Sequence, residues 1–115
     1  MLMERGINME KSTNITSQNI TIGIIGMGRI GNVHYKNLMR IPNVTIKYIC
    51  DLIATDDWGM KYKAAENVVT DYHEVLADPD VQAVLICVPT DLHPQFTIDA
   101  AEAGKDIFCE KPVGF

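Results

Sequence analysis

Short runs of branched apolar residues alternate along this chain with stretches whose apolar positions recur at helical spacing. Ile20–Ile25 (ITIGII) is apolar without polar alternation, the pattern of a strand buried on both faces. From Arg29 the period changes: Ile30, Val33, Leu38 and Ile41 fall on one helical stripe, which Pro42 ends. Val44–Cys50 reads as a second strand, more alternating and so nearer a sheet edge. Ala54–Asn67 has a weaker helical pattern interrupted by Gly59, and Val68–Thr70 follows as a brief third strand. Asp71 with Glu74 forms an acidic capping pair that opens a short helix, closed by Asp78-Pro79. Val81–Val88 (VQAVLICV) is the most strand-like stretch of all. Asp91–Ala103 reads as a helix with Pro94 in its first turn and Gly104 just past its end, and Asp106–Cys109 as the fifth strand.

Strands and helices in strict alternation imply an α/β fold, with parallel strands, right-handed crossovers and helices on both faces. The fold expected is a Rossmann-type doubly wound parallel sheet, truncated after the fifth strand. At 115 residues the chain is one domain at most. Residues 1–18 are polar and aperiodic and read as a flexible tail, leaving residues 19–115 for the folded part. They lack the apolar core of a signal peptide, and no run approaches a membrane span, so a cytoplasmic protein without membrane contact is expected. A net charge of −5 disfavours nucleic acid, whose phosphates need a basic face. Cys50, Cys87 and Cys109 fall in no metal-ligand spacing and read as small reduced core thiols. His34 and His73 likewise read as structural, and Met27, Met39 and Met60 as core filling; no metal site is expected.

The segment GIIGMGRIGNVH weakens a strand-to-helix junction with three glycines, Gly26, Gly28 and Gly31. GxGxxG alone is a weak signal. Here a strand precedes it, a helix opens within it, and Asp51 follows Gly31 by 20 residues at the end of the next strand. In that context Gly26 permits the tight turn, Gly28 admits a pyrophosphate to the backbone, and Gly31 lets the helix pack close to the sheet. The helix N-terminus then faces the phosphates with free N–H groups and a positive dipole end. Gly26, Gly28, Arg29, Ile30, Gly31 and Asp51 are therefore the candidate cofactor-binding residues. Arg29 either covers the pyrophosphate or is a solvated first-turn residue. Asp51 either accepts hydrogen bonds from the adenosine ribose and repels a 2′-phosphate, or is a solvated strand-end carboxylate. DLIATDD offers no Lys or Arg for a 2′-phosphate, which favours NAD over NADP.

Further along, DYHEVLADPDVQAV, VPTDLH and CEKPVG, taken with GMGRIGNVH and Asp51, resemble the Gfo/Idh/MocA family of oxidoreductases. EKP at this distance from the glycine loop is the most specific piece. The resemblance implies cofactor contacts from Val88, Pro89, His93 and Glu110. It also implies Lys111 as the catalytic group, a cation able to polarise a substrate carbon–oxygen bond. The reaction implied is hydride transfer between nicotinamide and a sugar, polyol or related secondary alcohol. Read without the family, His93 packs or caps a helix and Lys111 is a surface lysine.

Family members are much longer and carry a second domain with the sugar pocket and the proton-transferring residue. The chain is accordingly expected to be an amino-terminal part of a dehydrogenase, binding NAD(H) but inactive alone. The alternative is a non-catalytic NAD-sensing or partner-binding module of the same descent, and NAD-using glycosidases of similar fold stay open. In the usual strand order the fifth strand pairs with a sixth that this chain lacks. Its open edge beside Ile107 and Phe108 would favour self-association.

Overall fold

Strand β2 (Ile20–Ile25) lies at the centre of a parallel sheet because its branched side chains fill both faces. In the computed structural model, which describes residues 2–3 and 19–109, the elements follow in a regular order. After β2 come α1 (Arg29–Leu38), β3 (Val44–Cys50), α2 (Trp58–Lys61), β4 (Ala65–Val69), α3 (Tyr72–Ala77), β5 (Ala83–Ile86), α4 (His93–Glu102) and β6 (Asp106–Cys109). The sheet order is β1-β6-β5-β2-β3-β4, where β1 is the two-residue strand Leu2–Met3. Every pairing among β2–β6 is parallel, and the chain winds from β2 first to one side and then to the other.

Strand periodicity divides the core in two. Ile25, Val84, Ile86 and Ile107 point to one face, where they meet Val75 and Leu76 of α3 and Ala100 of α4. Ile22, Ile24, Ala83 and Leu85 point to the other, against Tyr35 of α1 and Tyr62. Each face has its own helices, so a run without polar alternation is what a central strand here requires.

The structure departs from the sequence expectations in several places, among them the strand expected over Val81–Val88, which is only Ala83–Ile86. The helix expected over Ala54–Asn67 is only the four-residue α2, and the chain then extends as β4. Pairing decides this: Ala65, Asn67, Val68 and Val69 register with Ile46, Tyr48, Ile49 and Cys50 of β3. The stripe on α1 also turns the other way. Ile30, Val33 and Ile41 are exposed, Leu38 packs partly buried against the core as expected, and Gly31 and Tyr35 face the sheet. Gly31 must lie against Gly26 for the loop to close, and that contact sets the rotation of the helix.

Met27 is core filling as expected, but Met39 and Met60 are exposed. Finally, the outer edge of β6 is not open along its length. Leu2 and Met3 pair antiparallel with Cys109 and Phe108, which corrects the expected open edge there and takes those two residues out of the expected tail. The remainder of residues 1–18 lies outside the described residues. Cys50 and Cys109 are buried as expected, whereas Cys87 is only half-buried, and no helix among the described residues is long and apolar enough to cross a membrane.

Opposite the glycine loop, Asp78 anchors the amino ends of the strands. Its carboxylate accepts from Lys47 Nζ at 2.7 Å, Tyr48 Oη at 2.8 Å and the Asp80 N–H at 2.9 Å. Lys105, buried nearby, donates from Nζ to the Asp78 and Val81 carbonyls, both at 2.7 Å. The Lys47 ammonium, then the Asp80 N–H and the Tyr48 hydroxyl, hold the Asp78 carboxyl down to about 2, from an ordinary 3.8. A carboxyl depressed on folding adds stability above its unfolded value and loses it as pH falls through the folded one. Thermal midpoints of the native chain should therefore drop between pH 4 and pH 2 more steeply than those of Asp78→Asn. Parallel curves would remove Asp78 from the acid transition.

Candidate functional site

At the carboxyl ends of β2, β3 and β5 a cleft of about 450 Å³ opens at the switch point between β2 and β5, whose crossovers lead to opposite sides of the sheet. Open α/β sheets bind ligands at that switch point, since the two flanking crossovers diverge there and leave a crevice. Gly26, Gly28, Arg29 and Ile30 form one wall, Cys50, Asp51, Leu52 and Thr70 a second, and Cys87, Val88, Pro89, Leu92 and Phe96 a third.

The glycine loop is shaped by contacts that no side chain would survive. Gly26 has φ +96°, and a Cβ there would stand 2.8 Å from the Cys87 carbonyl atoms. A Cβ on Gly31 would lie 2.0 Å from the Gly26 oxygen. At Gly28 a Cβ would meet nothing within 4 Å, so the backbone beside the cleft is open to an approaching ligand. Gly28 is the N-cap of α1, whose ten residues present their positive dipole end to this opening.

Asp51 closes the loop from the other side. Its Oδ2 accepts from the Met27 N–H at 2.8 Å and its Oδ1 from the Ile53 N–H at 3.2 Å. The carboxylate thus faces the cleft from a fixed position, with lone pairs remaining on both oxygens. Leu52 and Ile53 beyond it are largely exposed, and Asp56 and Asp57 are the next charges along the chain. A second phosphate on the ribose would meet carboxylates and no cation in this segment.

Of the sequence-predicted residues, Gly26, Gly28, Arg29, Ile30, Asp51, Val88 and Pro89 come together around the cleft. Gly31 acts beneath the loop, through its contact with Gly26. His93 does not line the cleft. Its Nε2 donates to the Val88 carbonyl at 2.7 Å and so ties the start of α4 to the wall. Glu110 and Lys111 lie outside the described residues. Among the described residues no group of His, Cys, Asp and Glu is placed to hold a metal ion.

Sequence reasoning missed the aromatic end of the cleft. Tyr72 and Phe96 both line it, stacked with centroids 4.1 Å apart and planes at 20°. The Tyr72 hydroxyl donates to the Asp99 carboxylate, and that bond, with burial behind it, pushes the phenol up to about 12. Tyr72 therefore presents a neutral ring at physiological pH. Burial, ahead of the nearby Asp51 charge, likewise pushes the Cys50 thiol to about 12 and makes it an inert part of the wall. Only the position of Tyr72 after Asp71 at a strand end hinted at such a role. Phe96 gave no signal, being one apolar residue of an amphipathic helix.

Comparisons with known proteins agree with this geometry. The oxidoreductase family with an NAD-binding Rossmann fold, GFO_IDH_MocA, matches residues 20–115. The uncharacterized oxidoreductase YrbE of Bacillus subtilis is 46% identical over 101 residues, which are 86% of this chain and 29% of that protein. A myo-inositol 2-dehydrogenase of Thermotoga maritima is 42% identical over 93 residues, 80% of this chain and 28% of that protein. The crystal structure of scyllo-inositol dehydrogenase from Lactobacillus casei, with bound NAD(H) and scyllo-inositol, superposes with a TM-score of 0.74 at 33% identity. That match covers 85% of this chain and 29% of the other. The chain therefore spans under a third of the length of the relatives it matches.

Proposed function

The chain belongs to the Gfo/Idh/MocA oxidoreductase family and carries its NAD-binding Rossmann fold, and from that premise we propose that it is the dinucleotide-binding part of an NAD-dependent dehydrogenase acting on a polyol of the inositol type. The observation that carries the proposal is the cleft itself. An open glycine backbone at a helix N-terminus stands across from a carboxylate held by two backbone donors, with an apolar wall between them.

The residues fit the cofactor. The N–H groups at the start of α1 meet the pyrophosphate, and Asp51 accepts from the adenosine ribose hydroxyls. Leu52, Tyr72, Leu92 and Phe96 offer apolar surface for the adenine ring. Bound NAD supplies the hydride acceptor, and the protein supplies orientation and exclusion of water.

Val88 and Pro89 stand at the end of β5, and Cys109 of β6 pairs with Ile86 beside them. Glu110 and Lys111 follow Cys109 directly in the sequence. On the EKP motif within the matched family span, Lys111 is the proposed catalytic group, polarising the substrate carbon–oxygen bond. The polyol assignment rests on the inositol dehydrogenases among the relatives. Because the chain covers so little of their length, binding without turnover is the behaviour proposed for it alone.

Thermal unfolding with NADH, with NADPH and without ligand tests the reading. A ligand at about 100 times its dissociation constant adds roughly 2.7 kcal/mol to stability. The expected result is a clear rise with NADH and a much smaller one with NADPH. A cooperative melt that neither nucleotide moves would overturn the proposal.

A further inference from the structure

Asn32 follows the last glycine of the loop and turns back over it. Its Nδ2 donates to the Met27 carbonyl at 2.9 Å and to the Gly28 carbonyl at 2.9 Å. Its Oδ1 accepts from the Tyr62 hydroxyl at 2.7 Å. The amide orientation is unambiguous, since carbonyls only accept and the third partner donates.

Tyr62 is a fixed post: 2% exposed, its ring packed edge-on against Tyr35 with centroids 4.9 Å apart. The Tyr35 hydroxyl in turn accepts from the Ala64 N–H at 3.1 Å. A buried hydroxyl thus reaches the glycine loop through one side-chain amide.

Peptide geometry gives this contact a consequence. In a trans peptide the C=O and the following N–H point in opposite directions. Holding the Met27 carbonyl sets the direction of the Gly28 N–H, and holding the Gly28 carbonyl, which the Asn32 side chain does together with the Asn32 backbone N–H at 3.0 Å, sets that of the Arg29 N–H. Both N–H groups then point away from Asn32, and both residues line the cleft. We propose that Asn32, latched by the buried Tyr62 hydroxyl, is a positioning residue that aims the Gly28 and Arg29 N–H groups at the cofactor pyrophosphate. The inference rests on the dinucleotide reading above and adds two residues to it. Preorganised donors cost nothing to reorient when the ligand arrives, so the latch acts on affinity more than on fold.

The test uses Tyr62→Phe, which removes one oxygen and keeps the ring packing, and Asn32→Ala. Dissociation constants are measured for NADH, ADP-ribose and adenosine, the last lacking the pyrophosphate. Tyr62→Phe should weaken NADH and ADP-ribose about fivefold, and Asn32→Ala roughly 30-fold, at about 1 kcal/mol per hydrogen bond. Adenosine should change less than about twofold in either variant, because it has no group for the aimed donors. The double variant should match Asn32→Ala alone, since Tyr62 acts through Asn32. Equal losses for adenosine and ADP-ribose, or additive losses in the double variant, would overturn the positioning role while leaving the dinucleotide reading intact.

A ligand-free measurement separates the two ideas. The amide resonances of Gly28 and Arg29 should shift in Tyr62→Phe, and unmoved resonances count against the latch whatever the ligands do. If the native chain binds neither NADH nor ADP-ribose, the dinucleotide reading fails and the proposed role of Asn32 falls with it.

Discussion

Gly31→Ala should lower the unfolding midpoint by about 10 °C and abolish measurable NADH binding. The added methyl would stand 2.0 Å from the Gly26 oxygen and 3.3 Å from the Met27 sulfur. The sulfur can move, but the oxygen belongs to a backbone held on both sides. Gly26 donates its N–H to the Cys50 carbonyl at 2.8 Å, and a Cβ on it would already meet the Cys87 carbonyl at 2.8 Å. Relief must then come from α1 lifting off the sheet, which opens the packing of Tyr35 and Met27. Overpacking of this kind costs about 3 kcal/mol, close to 10 °C for a domain of this size. The same displacement carries the helix N-terminus away from the cleft, so affinity falls even where the chain is folded. A thermal melt and an NADH fluorescence titration at low temperature read the two effects separately. Native-like binding by the variant would mean that the loop geometry is not what holds the pyrophosphate.

Asp51→Asn should weaken NADH roughly 50-fold and NADPH much less, shrinking the preference between them. The carboxylate now accepts from two backbone donors, the Met27 N–H on Oδ2 and the Ile53 N–H on Oδ1. An amide has one accepting oxygen, so one of those N–H groups would face an NH₂. The ribose hydroxyls also lose a charged acceptor, and hydrogen bonds to charged groups contribute about 1.5–3 kcal/mol. For NADPH the substitution removes repulsion of the 2′-phosphate, which offsets part of the loss. Paired titrations with NADH and NADPH check this. An unchanged ratio of affinities would show that Asp51 only braces the loop.

The two substitutions probe different kinds of legibility. GxGxxG, a preceding branched strand and an acid at the next strand end are local or evenly spaced features, and each marks a backbone requirement that few residues satisfy. β2, β3 and β6 were readable to their ends for a related reason. β2, covered on both faces, is continuously apolar, β3 and β6 alternate with Lys47 and Asp106 among their residues, and Asn19, Gly26, Asn43 and Asp51 mark where β2 and β3 begin and end.

The misread elements are those whose state depends on a contact that the apolar pattern does not encode. Ala65–Val69 has no strong pattern of its own and becomes a strand because β3 offers it a ladder. The stripe of Ile30, Val33 and Ile41 is a fair amphipathic pattern, yet the contact of Gly31 with Gly26 overrides it by fixing which face of α1 meets the sheet. Asn32 and Tyr62 stand thirty residues apart and share no motif, so only folding shows that one holds the other over the loop. The chain's own residues therefore dictated the fold class, the order of its main strands and the place and charge of the nucleotide cleft. Those follow from backbone conformations and burial that act over a few neighbouring residues. The identity of β4, the aromatic end of the cleft and the support beneath the glycines came only with tertiary packing, because each is set by atoms that the sequence keeps apart; the rotation of α1 came with the close approach of Gly31 to Gly26, which the apolar pattern does not register.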